Sequence, residues 1–401
     1  MGAGAGKLRS GAIVLSAALL TPLAIANAVA PLYTLCALLA LAALAADRAW
    51  RDIPRAPALL AICLLGWAGL SIAWSADPAR SARALASLAL SLAGGLALLA
   101  AADRASPTAR ARAGTALVAG LALTLGLLAI EAVPRYLRWT PTPLQWLLDA
   151  AGMKFGLSSL NRAASLVAIC VWPAAAIVLR RHGWRRAWIL PAAALAVLPA
   201  LESGAAQLAM ICALGAGAVT AWRPGATRAI LPAAAVLGIL AMPLVTGSQA
   251  FRDRFAARDL PVSVWHRAEI WAFAARHVAA RPLTGWGLDT TRELPGAADL
   301  VDGKPEYRPM HTHNNPLQLW LELGAVGALL GAAAAVLAAR AAAAARLDMP
   351  ARLGAVAALC AALAICATGF GMWQGWWMGS LWIVAALIRA TAATSGETAR
   401  A

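Results

Sequence analysis

Residues 10–46 read SGAIVLSAALLTPLAIANAVAPLYTLCALLALAALAA, a run of 37 residues without a Lys, Arg, Asp, Glu or His. A transmembrane helix needs about 20 consecutive apolar residues, so this run is long enough for two crossings. The whole chain has the same bias, since 61% of its 401 residues are hydrophobic and 13% are charged, whereas soluble proteins average roughly 45–50% and 25%. This composition excludes a soluble globular protein, a disordered chain and a disulfide scaffold.

Twelve apolar windows, bounded by charged residues, Pro or Gly, follow one another along the chain. Because irregular backbone cannot face lipid, each window is predicted to be a helix, and no strands are expected. The windows are residues 11–28, 31–46, 57–74, 85–102, 113–133, 163–179, 187–201, 205–222, 229–245, 317–338, 353–370 and 376–388. The sequence therefore predicts an all-α polytopic membrane protein with about 12 transmembrane helices, forming a single transmembrane domain over residues 1–401.

The charged residues predict the orientation of these helices. The formal net charge of +16 would suit a nucleic-acid partner, but with the N-terminus inside, the inner segments hold 19 of the 34 basic residues against five acidic ones. The outer segments hold 15 basic and 13 acidic residues. Since an excess of basic residues in short loops marks the cytoplasmic side, both termini are predicted in the cytoplasm and no nucleic-acid partner is expected.

The first apolar run has a second interpretation. Lys7 and Arg9, the apolar run and Ala26-Asn27-Ala28 also fit a cleavable signal peptide. Retention as a helix is favoured, because it keeps every later loop on its predicted side.

Two outer segments are longer than the others, residues 134–162 and the large loop of residues 246–316. Long ordered loops in compact proteins are usually functional, so a joint, outward-facing site is expected. Within the large loop, apolar residues recur at helical spacing over residues 262–280, alongside Arg267 and Arg276. A helix at the membrane surface is the alternative interpretation of this stretch.

The large loop ends in His311, Thr312, His313, Asn314 and Asn315, directly before the tenth window. Asn315 is the expected N-cap of that helix, with a proline following at its first position. His313 would then lie at the positive end of a helix, which disfavours the imidazolium form. A neutral His313 that accepts a proton near neutral pH is therefore predicted, with a bystander role for both histidines still open.

Two further residues of the tenth window carry expectations. Eleven residues at about 100° each make three turns, so Gly324 is expected on the same face as His313, where it would let a neighbour approach closely. Glu322 lies within the hydrocarbon zone, where an unpaired carboxylate is costly, and it therefore needs a structural partner or a function.

Arg162 opens the sixth window at its outer end. A cation at a helix N-terminus is unfavourable with respect to the helix dipole. A bound anion would explain this position, and a side chain that snorkels to the membrane surface is the alternative.

These motifs resemble a known family. Arg162-x3-Leu166 and His313-x10-Gly324, with one large outer loop before the second motif, resemble the bacterial O-antigen ligases. The superfamily signature, which O-antigen polymerases and protein O-oligosaccharyltransferases share, is similar to His313-Asn314-x2-Leu317-x4-Glu322-Leu323-Gly324. Its loop segment is similar to Trp265-His-Arg267-Ala-Glu-Ile-Trp271 followed by Arg281-Pro-Leu-Thr-Gly285-Trp-Gly287.

The resemblance implies an inverting glycosyltransferase of the class C type. The implied donor is a polysaccharide on undecaprenyl pyrophosphate, and the implied acceptor is the lipid A-core at the periplasmic face of the bacterial inner membrane, with membrane lipid around the protein. His313 would be the base, with His311 as runner-up. Since the arginine fork matches phosphate oxygens, the diphosphate would be held by Arg162 and Arg267, with Arg308 and Arg276 in reserve. The supporting residues would be Glu322, Gly324, Asn314 and Asn315.

No cofactor or metal is expected, because no acidic cluster in the outer loops has the composition of a metal site and the six cysteines lack metal-ligand spacing. One departure from the family stands out. Relatives often have Ser-Arg where this chain has Ser203-Gly204, which leaves the set of phosphate ligands open.

Other functions also fit parts of the pattern. An O-antigen polymerase would use the same donor with a different acceptor, and a protein O-oligosaccharyltransferase would transfer to protein. A twelve-helix transporter would show two similar halves with broken helices at the midplane, whereas here the histidines and arginines gather in the outer segments.

Overall fold

The computed structural model describes residues 2–138, 142–150, 157–255, 262–297 and 309–393. The described part is helical and forms no β-strand, which confirms the predicted all-α class. The helices are α1 (Gly2–Ile25), α2 (Val29–Asp47), α3 (Arg55–Leu70), α4 (Pro78–Asp103), α5 (Pro107–Tyr136), α6 (Pro143–Ala150), α7 (Leu157–His182), α8 (Trp184–Ala187), α9 (Ile189–Val197), α10 (Gly204–Trp222), α11 (Pro224–Leu240), α12 (Met242–Thr246), α13 (Gln249–Phe255), α14 (Val262–Ala280), α15 (Asn315–Ala342), α16 (Met349–Thr368) and α17 (Gly375–Thr391).

The apolar windows all fall on helices, but these helices differ in length. In the described ranges, nine are long and apolar enough to cross a membrane: α1, α2, α3 with the turn that follows it, α4, α5, α7, α10, α15 and α16. Helices α11 and α17 have 17 residues each, which corresponds to about 26 Å against a hydrocarbon core of about 30 Å. The helical, polytopic architecture is therefore observed, while twelve crossings stay a prediction.

Prolines interrupt two of the predicted windows. The seventh window is divided between α9 and a 3-10 turn, Leu198–Leu201, that contains Pro199. The ninth window breaks between α11 and α12, where Pro243 has no N–H to donate to the carbonyl of Ile239. That carbonyl accepts instead from Trp320 Nε1 at 3.0 Å. Neither window is one continuous helix.

Helix α7 occupies the centre of the bundle. Of its apolar window 78% is buried, and it packs against α1, α5, α10 and α16. Arg162 lies on this helix near its predicted outer end and is partly buried.

The predicted helix over residues 262–280 is confirmed as α14. It packs against α12 and α15. Phe273, Ala274 and Val278 of α14 form one apolar cluster with Leu317 and Leu321 of α15. Helix α14 is thus a packed part of the protein and is not held at the membrane surface by lipid alone.

Candidate active site

The predicted N-cap of α15 is wrong by one residue. Asn314, in extended backbone, is the N-cap, and its Oδ1 accepts from the N–H of Leu317 at 2.9 Å. Asn315 is the first helical residue and is buried. The difference arises because His313 adopts a left-handed conformation with φ 53°, which turns the chain one residue earlier than a regular approach to the helix would.

His313 is held by a backbone carbonyl of a distant segment. Its Nδ1 lies 2.6 Å from the carbonyl oxygen of Gly369, in the connection between α16 and α17. A carbonyl oxygen can only accept, so Nδ1 carries the proton. In the neutral ring, Nε2 is then the atom with a free lone pair, which is the arrangement a general base requires.

His311 has the opposite arrangement. Its Nδ1 accepts from the backbone N–H of His313 at 3.2 Å, so its proton in the neutral state lies on Nε2. The two rings are 4.1 Å apart between centroids. The His311 ring packs against Gly371, where an added Cβ would come within 2.7 Å of the ring. His311 therefore supports His313, and of these two histidines it is His313 that offers an unprotonated Nε2.

Both histidines are neutral at pH 7. Burial is the largest cause that lowers the pKa of His313 to about 4, and the charge of Arg267 adds to it, while the bond to Gly369 acts in the opposite direction. Burial likewise lowers the pKa of His311 to about 3, with contributions from His313, Arg292 and Arg267. The neutral state agrees with the sequence prediction, although its largest cause is burial, and the pKa of His313 lies below the neutral pH at which the sequence predicts proton uptake.

Arg267 is the predicted phosphate ligand that lies near this histidine pair. Its charge acts on both rings, and burial lowers the pKa of Arg267 itself. One turn further along α14, Trp271 Nε1 donates to the carbonyl of Thr312 at 2.8 Å. Helix α14 thus anchors the histidine segment and places a cation beside it.

Arg162 contacts the first turn of α17, next to the connection that holds His313. Its Nη1 donates to Asn27 Oδ1 at 3.0 Å, and the guanidinium lies 5.0 Å from the ring centroid of Trp376. The Trp376 ring is 4.5 Å from that of Phe370, the residue after Gly369. Arg162 and His313 are therefore linked through the segment between α16 and α17.

The prediction that Arg162 stands at the first position of its helix is wrong. Helix α7 begins at Leu157, so Arg162 lies in its second turn and does not open the helix as predicted. The unpaired N–H groups of a helix belong to its first four residues, so the dipole argument is weaker than the sequence implied. The protein contacts of Arg162 also argue against a side chain that merely snorkels.

Arg276, one of the two reserve arginines, does not join this cluster. Arg276 is exposed and lies nine residues, or two and a half turns, beyond Arg267, on the opposite side of α14. Arg308 lies outside the described residues. Arg292, which no sequence motif indicated, influences the pKa of His311 through its charge.

Helix α15 is broken at Gly324, which has φ 64° and ψ −161°. The predicted close approach is confirmed, because a Cβ at this position would lie 2.2 Å from the carbonyl oxygen of Leu283. The prediction that His313 and Gly324 share one helical face is wrong. His313 precedes the helix in a left-handed conformation, and the helical repeat ends at Gly324.

The chain after α14 lies in this break and satisfies its backbone groups. Trp286 and Gly287 donate their N–H groups to the carbonyls of residues 321 and 322 at 3.0 Å and 2.9 Å, and the N–H of residue 325 donates to Pro282 at 2.8 Å. Trp67 Nε1 donates to the carbonyl of Leu323 at 2.7 Å. The break is therefore a packed junction between α3, α15 and the loop.

Glu322 is fully buried in this junction. Of the two alternatives that the sequence left, a structural partner or a function, the structure shows structural partners. Its carboxylate accepts from Thr291 Oγ1 at 2.6 Å, the backbone N–H of Asp289 at 2.7 Å and Gln318 Nε2 at 3.0 Å. Trp373 Nε1 also donates to it. Of these partners only Gln318, four residues earlier on the same helix, could have been suggested by spacing.

Gly204, where relatives often have an arginine, is not enclosed by neighbouring atoms. A Cβ added at Gly204 would meet no atom within 4 Å. The preceding Ser203 donates to the side chain of Asn161, next to Arg162. The missing cation would therefore have stood beside the Arg162 region.

Fold and site together define a helical, polytopic membrane protein with a pair of partly buried, neutral histidines next to arginines. Over residues 189–332 the chain matches the family model of the O-antigen ligases. This segment includes Arg267, both histidines, Glu322 and Gly324, whereas Arg162 precedes it.

Curated relatives point the same way. A protein of Rickettsia conorii is 33% identical over 106 residues, which cover 23% of this chain and 26% of the relative. A protein of Rickettsia felis is 31% identical over 106 residues with the same coverage, and one of Rickettsia bellii is 25% identical over 153 residues, covering 36% of this chain and 37% of that protein. The names of all three contain the words polysaccharide ligase.

The chain spans about a quarter of the length of the first two relatives. Together with the family model, these matches confirm the predicted resemblance to the O-antigen ligases in the segments that they cover. Over these segments the chain is similar to the O-antigen ligases and to proteins named polysaccharide ligase.

Proposed function

We propose that this protein is a polysaccharide ligase that transfers a polysaccharide from undecaprenyl pyrophosphate to a hydroxyl of the lipid A-core. The reaction would take place at the periplasmic face of the inner membrane, with both termini of the chain in the cytoplasm. The observation that carries the proposal is the bond between His313 Nδ1 and the Gly369 carbonyl, because it leaves Nε2 able to accept a proton.

The proposed step is a single displacement. The acceptor hydroxyl oxygen attacks the anomeric carbon, the bond from that carbon to the diphosphate oxygen breaks, and the hydroxyl proton moves to His313 Nε2. Attack opposite to the leaving group inverts the anomeric centre. A positioned general base contributes a factor of about 10²–10⁴.

The leaving diphosphate needs cations more than it needs a proton. Arg162 and Arg267 would supply them, since both lie beside the segments that hold His313. The diphosphate charge would offset that of Arg267, which is one cause of the low pKa of His313. Binding of the donor would thus raise the basicity of His313 at the stage when the base is needed.

Deletion of the gene in its host tests the proposal, with the lipopolysaccharide ladder read by gel beside the undecaprenyl-linked pool. Bare core with long lipid-linked chains is the expected result. Core carrying a single repeat would indicate a polymerase instead. An unchanged ladder would overturn the O-antigen assignment altogether.

A further inference from the structure

A cavity of about 310 Å³ lies between α4 and α17. Its walls include Arg80, Arg83, Ser87 and Leu88 of α4, Met378 of α17 and Asp289 from the loop after α14. Ligand pockets generally measure about 300–1,000 Å³, so the size suits a single head group.

Two arginines line the cavity, and one of them, Arg80, is paired with a carboxylate. Arg80 Nε lies 3.0 Å from Asp289 Oδ2 and donates to the Asp289 carbonyl at 2.8 Å. Arg83, within the described part of the chain, has neither an ion pair nor a side-chain hydrogen bond, and it is exposed. The surplus positive charge favours an anion.

The remaining walls are amphipathic. Arg83 and Ser87 are four residues apart on α4 and therefore share a face, while Leu88 and Met378 add apolar surface. Polar side chains along a membrane-spanning helix are costly and usually mark a path for substrate. A cation followed by a hydroxyl and then by apolar surface matches an amphiphile with an anionic head.

This cavity and Arg162 lie on different sides of the first turn of α17. Arg162 stacks on Trp376, whereas Met378 lines the cavity, and two residues correspond to about 200° around a helix. The connection that accepts the His313 bond at Gly369 also contributes Trp373 to the cavity wall. The connection between α16 and α17 thus links the histidine site to two separate cationic positions.

We propose that the cavity binds the phosphorylated head of the acceptor glycolipid, with Arg83 on its phosphate, while Arg162 and Arg267 hold the diphosphate of the donor. The name acceptor rests on the proposed function. The cavity itself argues for an amphiphile with an anionic head, and phosphate is chosen because the arginine fork matches phosphate oxygens.

A binding measurement on the full chain in phosphatidylcholine nanodiscs tests this class. The probes are diphosphoryl lipid A, the same lipid without phosphates, phosphatidylglycerol and inorganic phosphate. Arg83→Gln is expected to weaken binding of the phosphorylated glycolipid about tenfold or more and to leave the dephosphorylated form unaffected. Arg254→Gln, which removes an exposed arginine on α13, is the matched control and keeps full affinity.

Comparison of the probes distinguishes a glycolipid phosphate from a phospholipid head group and from free phosphate. Equal affinity of Arg83→Gln and the unmodified protein for the phosphorylated glycolipid overturns the proposal. Displacement by phosphatidylglycerol or inorganic phosphate at the same concentration as by the glycolipid also overturns it, because the site would then be unselective. Ser87→Leu narrows the cavity without removing charge and is expected to weaken binding as well.

Transfer kinetics separate this inference from the proposed function. Arg83→Gln is expected to raise the KM for the acceptor and leave the KM for the donor unchanged, with the reverse for Arg162→Gln. Absence of transfer in the unmodified protein would contradict the proposed function. Normal transfer with an unchanged acceptor KM in Arg83→Gln would contradict the acceptor site alone.

Discussion

His313 Nδ1 lies 2.6 Å from the carbonyl oxygen of Gly369, 56 residues further along the chain. This one bond sets the tautomer of the ring and joins the segment before α15 to the connection before α17. A backbone carbonyl cannot take up the proton, so the polarity of the bond is fixed and Nε2 is the acceptor. Amide side chains can imitate one ring nitrogen at a time, which makes the two nitrogens separable by experiment.

His313→Asn is expected to lower kcat for transfer by about 10²–10⁴. The Asn amide can still donate to Gly369, and Asn tolerates the left-handed backbone of this position, but it offers no basic nitrogen. The rate would be measured with lipid-linked donor and core acceptor on the purified protein. A variant that retained kcat would remove His313 from the role of base.

His311→Asn provides the matched comparison. The Asn Oδ1 can accept from the backbone N–H of residue 313 as the ring Nδ1 does. Most of the transfer rate is therefore expected to remain. A loss as large as that of His313→Asn would instead make His311 the base.

The apolar windows and the helix over residues 262–280 could be predicted because hydropathy and periodicity are local properties of the chain. The break at Gly324 could not, since it depends on the segment around Leu283, about 40 residues earlier, lying against α15. The bond to Gly369 and the cavity beside Arg83 depend in the same way on which helices are neighbours. His313 could thus be named from the sequence, but the backbone carbonyl of Gly369 that orients its ring could not.

The stability of the protein is expected to fall as the pH decreases from about 6.5 toward 4. Burial lowers the pKa of His311 to about 3 and that of His313 to about 4, so the unfolded chain binds protons that the folded chain excludes. The contribution of these two histidines to the free energy of unfolding is complete above the pKa of histidine in the unfolded chain and decreases below it. The melting temperature of the His311→Asn/His313→Asn double variant should depend less on pH, whereas His182→Gln, at an exposed histidine, should retain the dependence of the unmodified protein.

Gly324→Ala is expected to destabilise the junction between α15 and the loop. The backbone conformation at this position is essentially restricted to glycine and costs another residue about 1–3 kcal/mol, and the added Cβ would meet the Leu283 carbonyl at 2.2 Å. Thermal unfolding in detergent measures the effect. Gly238→Ala, where a Cβ meets no atom within 4 Å, should be neutral or stabilising, and equal melting temperatures for the two variants would contradict the packed junction.

Glu322→Gln is expected to reduce stability by about 1–3 kcal/mol. Every partner of the carboxylate is a donor, including Thr291 Oγ1 at 2.6 Å and the N–H of Asp289 at 2.7 Å, so an amide NH₂ would face donors. The exposed Glu269 on α14 supplies the control, Glu269→Gln. Equal free energies of unfolding for the two variants would show that the buried carboxylate of Glu322 is not required for stability.

Arg267→Gln is expected to shift the acidic limb of the transfer profile to higher pH. The positive charge of Arg267 is one cause of the low pKa of His313, so its removal favours the imidazolium form and the base becomes protonated at a higher pH. The pH dependence of kcat/KM reports this pKa in the free enzyme. Arg254→Gln, an exposed arginine on α13, should leave the limb in place. If Arg267→Gln raised the KM for the donor without moving the limb, Arg267 would hold the diphosphate but would not tune the base, and the link between donor binding and the basicity of His313 would have to be abandoned.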